Sequence, residues 1–470
     1  MLFQNHFKYN YIPSLPISFM FVGRDNELRY LEDLYSQSNQ LTCSVLGLRG
    51  VGKSRLISEF CRDKRSLIIE FIEGSRVELL SLLKMYIEDF LGNEVPPCET
   101  LVEYFRKIAD LCRRERTVVV LDEFPYLLDT IPESSSIVQW FIDTALKGTD
   151  TMVIICGSQP SVIEKETNDP SRPLYGRADN RLTVRPLKIT DTIAFHERMS
   201  DLDQIRTYLT VGGIPRQQRK FDGGDYRSVV VKRYISDSRD MEELGPSFVR
   251  ELMKNAELPI SILSMMASGS VRLNEIADRL GVDRSNCSKV MKNMEEAGII
   301  GRVNPMFDSP KRPVYAIENH IPAFHYLIVN KVRPLMTSQR KDLSDLDHRI
   351  DTYMGQRFEF LCRDYVLSHY SVKEIGKWWG RVDGEDVDID IAATVTVEGI
   401  ERDLFCECKF TKRPMGFGTL NVLRDRVGHV KGARNVMYML MSANGFEDDL
   451  TEYAEEEGVI LVDGRTILRG

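Results

Sequence analysis

The sequence predicts a multidomain α/β chain: a parallel sheet wrapped by helices, then a helical segment, a helix-turn-helix unit and a smaller α/β unit. Three observations predict it. Short apolar runs alternate with amphipathic stretches from residue 42 to about 187, helical periodicity alone follows to about 253, and the pattern changes again over 256–335 and 336–470. At 470 residues and 43% hydrophobic content the chain is too long for one ordinary core, and a division into roughly two to four domains follows.

Charged residues make up 28% of the chain, and its longest apolar runs, such as VVVL at 118–121 and VIIC at 153–156, fall far short of the roughly eighteen residues that cross a bilayer. No membrane span is expected. Residues 1–20 contain two prolines and no basic stretch leading into an apolar core, so they read as an N-terminal extension, neither secretory signal nor transit peptide. The nine cysteines are odd in number and scattered, which predicts reduced thiols and a cytoplasmic protein. Cys406 and Cys408 share one face of a strand, but zinc needs wider spacing and further ligands, so they read as core thiols. A formal charge of −8 excludes a chain-wide basic coat, and any DNA contact must be local.

The first α/β unit is expected over 21–187, with strands near 43–47, 67–72, 117–121, 152–156 and 181–184 and helices including 79–91 and 135–146. GLRGVGKS at 47–54 matches G-x-x-x-x-G-K-[ST] between a strand and the helical run SRLISEF. Such a P-loop binds ATP for a physical reason. The residues Gly47, Leu48, Arg49, Gly50, Val51 and Gly52 let backbone amides curl around phosphate, and Lys53 reaches the β- and γ-phosphates. Ser54 ligates Mg²⁺, and Arg55 follows in the first helical turn. TVVVLDEF then places Asp122 and Glu123 at the carboxyl end of a buried strand, where Asp122 takes the Mg²⁺ side and Glu123 orients or deprotonates water. TMVIICGSQ ends in Ser158 and Gln159 at the same sheet edge.

FVGRDNEL at 21–28, GLRGVGKS, VVVLDEF, CGSQ and TVGGIPRQ at 210–217 together resemble the archaeal-type ATPase family, close to the AAA+ and STAND groups. The likeness spans about 20–220. It implies that Val22, Gly23 and Arg24 pack near the adenine, that Ser158 or Gln159 senses the γ-phosphate, and that the turn ending in Pro215 brings a helical lid, 188–255, towards the nucleotide. Arg177 stands where similar sequences carry an arginine, which leaves a finger role and a plain surface role open.

LNEIADRLGVDRSNCSKVMKNMEEAGII at 273–300 places Leu273, Ile276, Ala277 and Leu280 on one helical face, Gly281 at a turn, and Val290 and Met294 on the next helix, within a winged helix-turn-helix unit at 256–335. Asp283 caps the second helix, whose Arg284, Ser285, Asn286, Lys289, Lys292 and Asn293 face outward, with Lys311 and Arg312 in the wing. These groups suit phosphates and base edges. Asp308, Glu295 and Glu296 blunt the field, so a protein-facing role competes with DNA binding.

In the last unit, 336–470, a helix containing MGQRFEFLCRDYVLSHY is followed by KWWGR, the strand EDVDIDIAATV and the strand DLFCECKF. Asp388 and Asp390 share one strand face, as do Glu407 and Lys409 on the partner, so carboxylates and a lysine can converge to hold Mg²⁺ and activate water. The arrangement resembles the PD-(D/E)XK nuclease fold, specifically the domain of uncertain function that follows archaeal-type ATPase domains. That resemblance implies catalytic roles for Glu359, Asp390 (or Asp388), Glu407 and Lys409, with Asp390 and Glu407 on the metal; no proline precedes the acid. The expected function is an ATP-hydrolysing, DNA-processing protein using ATP and Mg²⁺, in which lid closure repositions the DNA-facing parts. Its rival is a STAND-like nucleotide-gated switch or scaffold without nuclease activity, working through a protein partner or a homo-oligomer.

Overall fold

Three valines and a leucine make β3 (Val118–Asp122) an uninterrupted apolar strand, the composition expected where helices cover both sheet faces. The computed structural model describes residues 21–37, 39–221, 224–235, 244–253, 255–309, 313–337 and 344–470; the expected extension 1–20 and the wing residues Lys311 and Arg312 lie outside these. β3 pairs in parallel with β2 (Ser66–Glu70) on one side and β4 (Met152–Gly157) on the other. β4 continues to β1 (Leu41–Leu46) and β1 to β5 (Asn180–Thr183), giving the five-stranded order β2-β3-β4-β1-β5. Alternation sorts the side chains between two apolar layers. Val119, Leu121, Val153 and Ile155 join the layer containing Phe105 and Phe141, while Val118, Val120 and Ile154 join Leu31, Leu56 and Val51.

The sequence expectations for these strands differ from the structure by one or two residues at their ends. The helix expected over 135–146 is instead a short helix, Ser134–Trp140, continued by a π-helical turn at Phe141–Ala145. Because every strand is parallel, Leu46, Glu70, Asp122, Gly157 and Thr183 all end at one edge. β4 lies between β1 and β3, so the segment leaving β4 emerges between the loop after β1 and the acids after β3.

The described residues divide into two compact units, with the boundary between Ala194 and Phe195. The second unit begins with helices, including Asp201–Val211 and Pro215–Gln218. Helices Glu257–Ala267, Leu273–Leu280 and Arg284–Glu296 follow, and the antiparallel pair β6 (Ile300–Val303) and β7 (Val314–Ile317) completes a winged helix-turn-helix. The long helix Ser344–His369 leads into β8 (Ser371–Val382), β9 (Glu385–Val397) and β10 (Ile400–Lys409), an antiparallel run. Helix Phe417–Gly428 crosses to β11 (Met437–Ser442), and Asp448–Glu457 crosses to β12 (Ile460–Asp463), both parallel to β10. The order is β12-β11-β10-β9-β8.

The winged helix and this last sheet meet at the exposed edge of β8. Met306 N donates to Lys377 O at 2.8 Å and Lys377 N to Asn304 O at 3.0 Å, so the segment after β6 pairs with β8 and covers its open edge. Asp308 accepts from the Trp378 indole at 2.9 Å, and the Ser309 hydroxyl accepts from Trp379 N at 2.9 Å. KWWGR is therefore interior to β8, its first tryptophan packed with Met306, Ile389 and Phe405. Among the described residues no helix is long and apolar enough to cross a membrane.

Candidate functional site

Between β1 and the helix Lys53–Phe60, Gly50 and Gly52 hold φ of +77° and +103°, conformations that a side chain disfavours. A Cβ on Gly47 would lie 2.5 Å from the Val184 carbonyl, so the loop passes close beneath the exit of β5. Val51 is buried in the adjoining apolar layer, and its amide closes on Leu48 O at 3.3 Å. Lys53 is only 5% exposed, and its ammonium donates to Gly47 O at 2.8 Å and Leu48 O at 3.2 Å. Arg24 braces the same loop from outside, donating to Val51 O at 3.0 Å, Arg185 O at 2.8 Å and Glu27 at 2.8 Å. That bracing role was not read from the sequence, which gave Arg24 only a place near adenine. Gly23 keeps φ +62° because a Cβ there would meet Asp191, Val22 is half-buried, and Arg55 lies 3.8 Å from Glu59.

One strand away, Asp122 is 3% exposed and accepts from the Ser54 hydroxyl at 2.8 Å. A hydroxyl and a carboxylate are the hard oxygen donors that Mg²⁺ takes alongside phosphate. These residues fit that ion. The other Asp122 oxygen accepts from Glu123 N at 2.9 Å. Glu123 adopts φ +52°, an unusual value for a non-glycine residue, and its Oε2 accepts from Ser158 N at 3.0 Å and the Ser158 hydroxyl at 2.8 Å. Ser158 thus reaches Glu123 across the β4 exit, while Gln159 occupies the N-cap position of helix Pro160–Asn168.

Glu70, which the sequence reading passed over, ends β2 beside this pair. Phe71 N donates to Asp122 O at 2.9 Å, and partial burial, then the charges of Asp122 and Glu123, push the Glu70 carboxyl above its ordinary pKa. The strand was expected over 67–72 with Glu70 inside it, and neither its end at Glu70 nor its position next to β3 was legible. Arg177 is engaged elsewhere on this unit: its Nε lies 2.8 and 3.0 Å from the two oxygens of Asp143, and Nη1 donates to Tyr175 O at 2.8 Å. Pro215 opens its short helix in the second unit, after Gly212, whose φ of +63° and contact with His320 require glycine.

On the winged helix, Gly281 turns with φ +64°, and Asp283 caps the second helix by accepting from Ser285 N at 2.9 Å and Asn286 N at 3.1 Å. Cys287, Met291 and Met294 form its buried stripe. Arg284, Ser285, Asn286, Lys289, Lys292 and Asn293 are exposed, although Arg284 lies 3.2 Å from Asp278 and Lys292 lies 3.7 Å from Glu296.

The C-terminal side chains fall into two ion-pair groups. Lys377, the first residue of KWWGR and given no site role from the sequence, pairs with Glu359 and lies 3.8 Å from Asp388 and 3.9 Å from Asp390. Glu407, 4% exposed, accepts from Lys409 at 2.6 Å and faces Arg426 at 3.4 Å. Asp390 joins the groups through the backbone, accepting from Cys408 N at 2.9 Å. Burial raises the Glu359 carboxyl to about 7 despite Lys377, and burial together with Asp390 raises Glu407. Among the described residues no three His, Cys, Asp or Glu side chains are gathered to hold a metal ion. At Asp390 and Glu407, where a Mg²⁺ site is expected, the carboxylates stand beside Lys377, Lys409 and Arg426. Cys406 and Cys408 are buried thiols, their sulfurs 3.8 Å apart.

Residues 21–221 match the family model of an ATPase domain predominantly from Archaea. Residues 257–300 match a winged helix-turn-helix DNA-binding model, and 324–419 match a model of archaeal and bacterial proteins of unknown function. An uncharacterised protein of Methanocaldococcus jannaschii is 26% identical over 385 residues, covering 79% of this chain and 84% of that protein. Among solved structures, a Walker-type ATPase of Pyrococcus abyssi aligns with TM-score 0.49 and 19% identity over 64% of this chain and 94% of the other. The Aeropyrum pernix ORC2 protein aligns with TM-score 0.45 and 14% identity, covering 70% of this chain and 98% of that one.

Proposed function

We propose that this chain binds and hydrolyses ATP at residues 47–54 and acts on DNA through its winged helix. The observation that carries the hydrolytic part is the Ser54–Asp122 contact at 2.8 Å beside a Glu123 carboxylate oriented by Ser158. Loop amides and the positive end of helix Lys53–Phe60 bind the phosphates, and Lys53 exchanges its loop carbonyls for phosphate oxygens. Ser54 and Asp122 would hold Mg²⁺, which neutralises charge developing between the β- and γ-phosphates when bound. Glu123 orients a water and takes its proton on Oε1, the oxygen not bonded to Ser158, as the water oxygen bonds to the γ-phosphorus and the bridging bond to the β-phosphate breaks. Free thiols, nearly all buried, support a reducing compartment such as the cytoplasm.

For DNA, the support is an exposed polar and basic face on the capped helix Arg284–Glu296 together with the winged helix-turn-helix match. The ion pairs of Lys377 with Glu359 and of Lys409 with Glu407 support a last domain that recognises its partner without cutting. Two assays of the full chain test these statements. ATP turnover is expected to respond to duplex DNA and to lose that response in Lys289→Glu/Lys292→Glu; turnover indifferent to DNA, with no DNA retained, removes the DNA reading. Plasmid incubated with Mg²⁺, with and without ATP, is expected to stay intact; nicking abolished by Lys409→Ala would restore the nuclease reading.

A further inference from the structure

In the second unit, the segment 409–416 and helix Asp201–Val211 enclose an open groove of about 540 Å³. We propose that this groove takes one single strand of nucleic acid, gripped by its phosphates. Arg206, Lys409, Lys412 and Arg413 line it against one acid, Asp351, a local excess of positive charge on a chain of net charge −8. A concave basic channel on an acidic protein concentrates its field on a polyanion. Lys409 stands on buried Glu407, 2.6 Å away, and keeps its own side chain 41% exposed towards the groove. The Arg413 guanidinium carries no ion pair among the described residues, while Lys412 lies 3.3 Å from Asp351 and Arg206 lies 2.9 Å from Asp203.

The loop is built in advance of any ligand. Asn444 Nδ2 donates to Lys412 O at 2.6 Å, the Thr411 hydroxyl donates to Arg413 O at 2.7 Å, and Met415 exchanges backbone bonds with Gly445 at 2.9 Å and Glu447 at 3.0 Å. Phe410 decides between single strand and duplex. Its ring is half-exposed in the groove, with the buried Phe358 ring 5.6 Å away edge-on and the Arg206 guanidinium 5.8 Å from its centroid. An aromatic ring inside a basic channel is the pairing that holds unstacked bases, which a duplex does not offer. Duplex contact is left to the separate helix Arg284–Glu296.

This inference takes nucleic acid as the partner from the reading above but needs neither ATP hydrolysis nor cleavage. The test therefore runs on the full chain in EDTA, without nucleotide, following the anisotropy of a labelled oligothymidylate of about 12 nucleotides and, separately, a duplex of equal length. Lys412→Glu/Arg413→Glu is expected to weaken single-strand binding at least tenfold and to lower the salt slope by roughly 1.4, at about 0.7 per lost phosphate contact. Phe410→Leu should weaken it further, and the neutral pair Lys412→Gln/Arg413→Gln should fall between parent and reversal. Lys289→Glu/Lys292→Glu should weaken the duplex and spare the single strand. Single-strand affinity within twofold of the parent in the folded charge-reversal variant, or a loss confined to the duplex, would overturn the inference.

Discussion

Replacing Glu123 by glutamine isolates proton transfer from architecture. The carboxylate Oε2 accepts two bonds from Ser158, at 3.0 and 2.8 Å, and a glutamine carbonyl accepts both without moving. What disappears is the negative charge and the ability to take a proton from water. Loss of a positioned general base lowers the rate by about 10²–10⁴, or roughly 3–5 kcal/mol of barrier. Nucleotide affinity should hold, because the phosphates are gripped by 47–54 and not by this side chain. Ser158→Ala provides the scale: it removes the hydroxyl bond and keeps the amide bond, a net effect of about 1 kcal/mol and so roughly fivefold. Phosphate release at saturating ATP, with affinity from a fluorescent-nucleotide titration, measures both. Turnover of Glu123→Gln within threefold of the parent, or affinity falling in step with turnover, would refute the assignment.

Two further outcomes follow from the second unit. A Cβ on Gly376 would press into the Asn304 carbonyl, so Gly376→Ala should push segment 304–306 off β8 and destabilise the unit by on the order of 1–3 kcal/mol, visible as a lower unfolding midpoint; an unchanged midpoint contradicts the edge pairing. Glu359, raised by burial from 4.5 to about 7, binds its proton more readily when folded. Its contribution is therefore complete below pH 4.5 and lost as pH rises towards 7, and Glu359→Gln should flatten that part of a denaturant-midpoint profile. A slope identical in the variant removes Glu359 as its source.

The phosphate loop was legible because its chemistry is local: glycines, lysine and serine lie within eight consecutive positions, and the strand before and helix after them were written in hydrophobic periodicity. Asp122 and Glu123 were readable for the same reason, at the end of a valine-rich strand. Strand order was not, since the placement of β4 between β1 and β3 is a non-local fact, and with it went the Glu123–Ser158 bond and the proximity of Glu70. In the last domain the order of acids was legible but their partners were not. Opposite Gly376 and Trp378 stand Ala392 and Ile389, so β8 advances two residues while β9 advances three. That irregularity falls where Lys377 meets Asp390, and period-two counting along either strand does not reveal it. KWWGR was assigned to no element, because Trp378 finds its partners in Asp308, Met306 and Phe405, far away in sequence.

The most direct test of the whole account is a nucleotide titration of the full chain and Lys53→Ala, with a fluorescent ATP analogue and Mg²⁺. Lys53 is buried on the loop it would exchange for phosphate, and removing one partner of a buried charge contact costs about 2–5 kcal/mol. The parent should saturate and the variant should bind at least thirtyfold more weakly. No binding by the parent, or two superimposable curves, would contradict the claim that residues 47–54 hold a triphosphate.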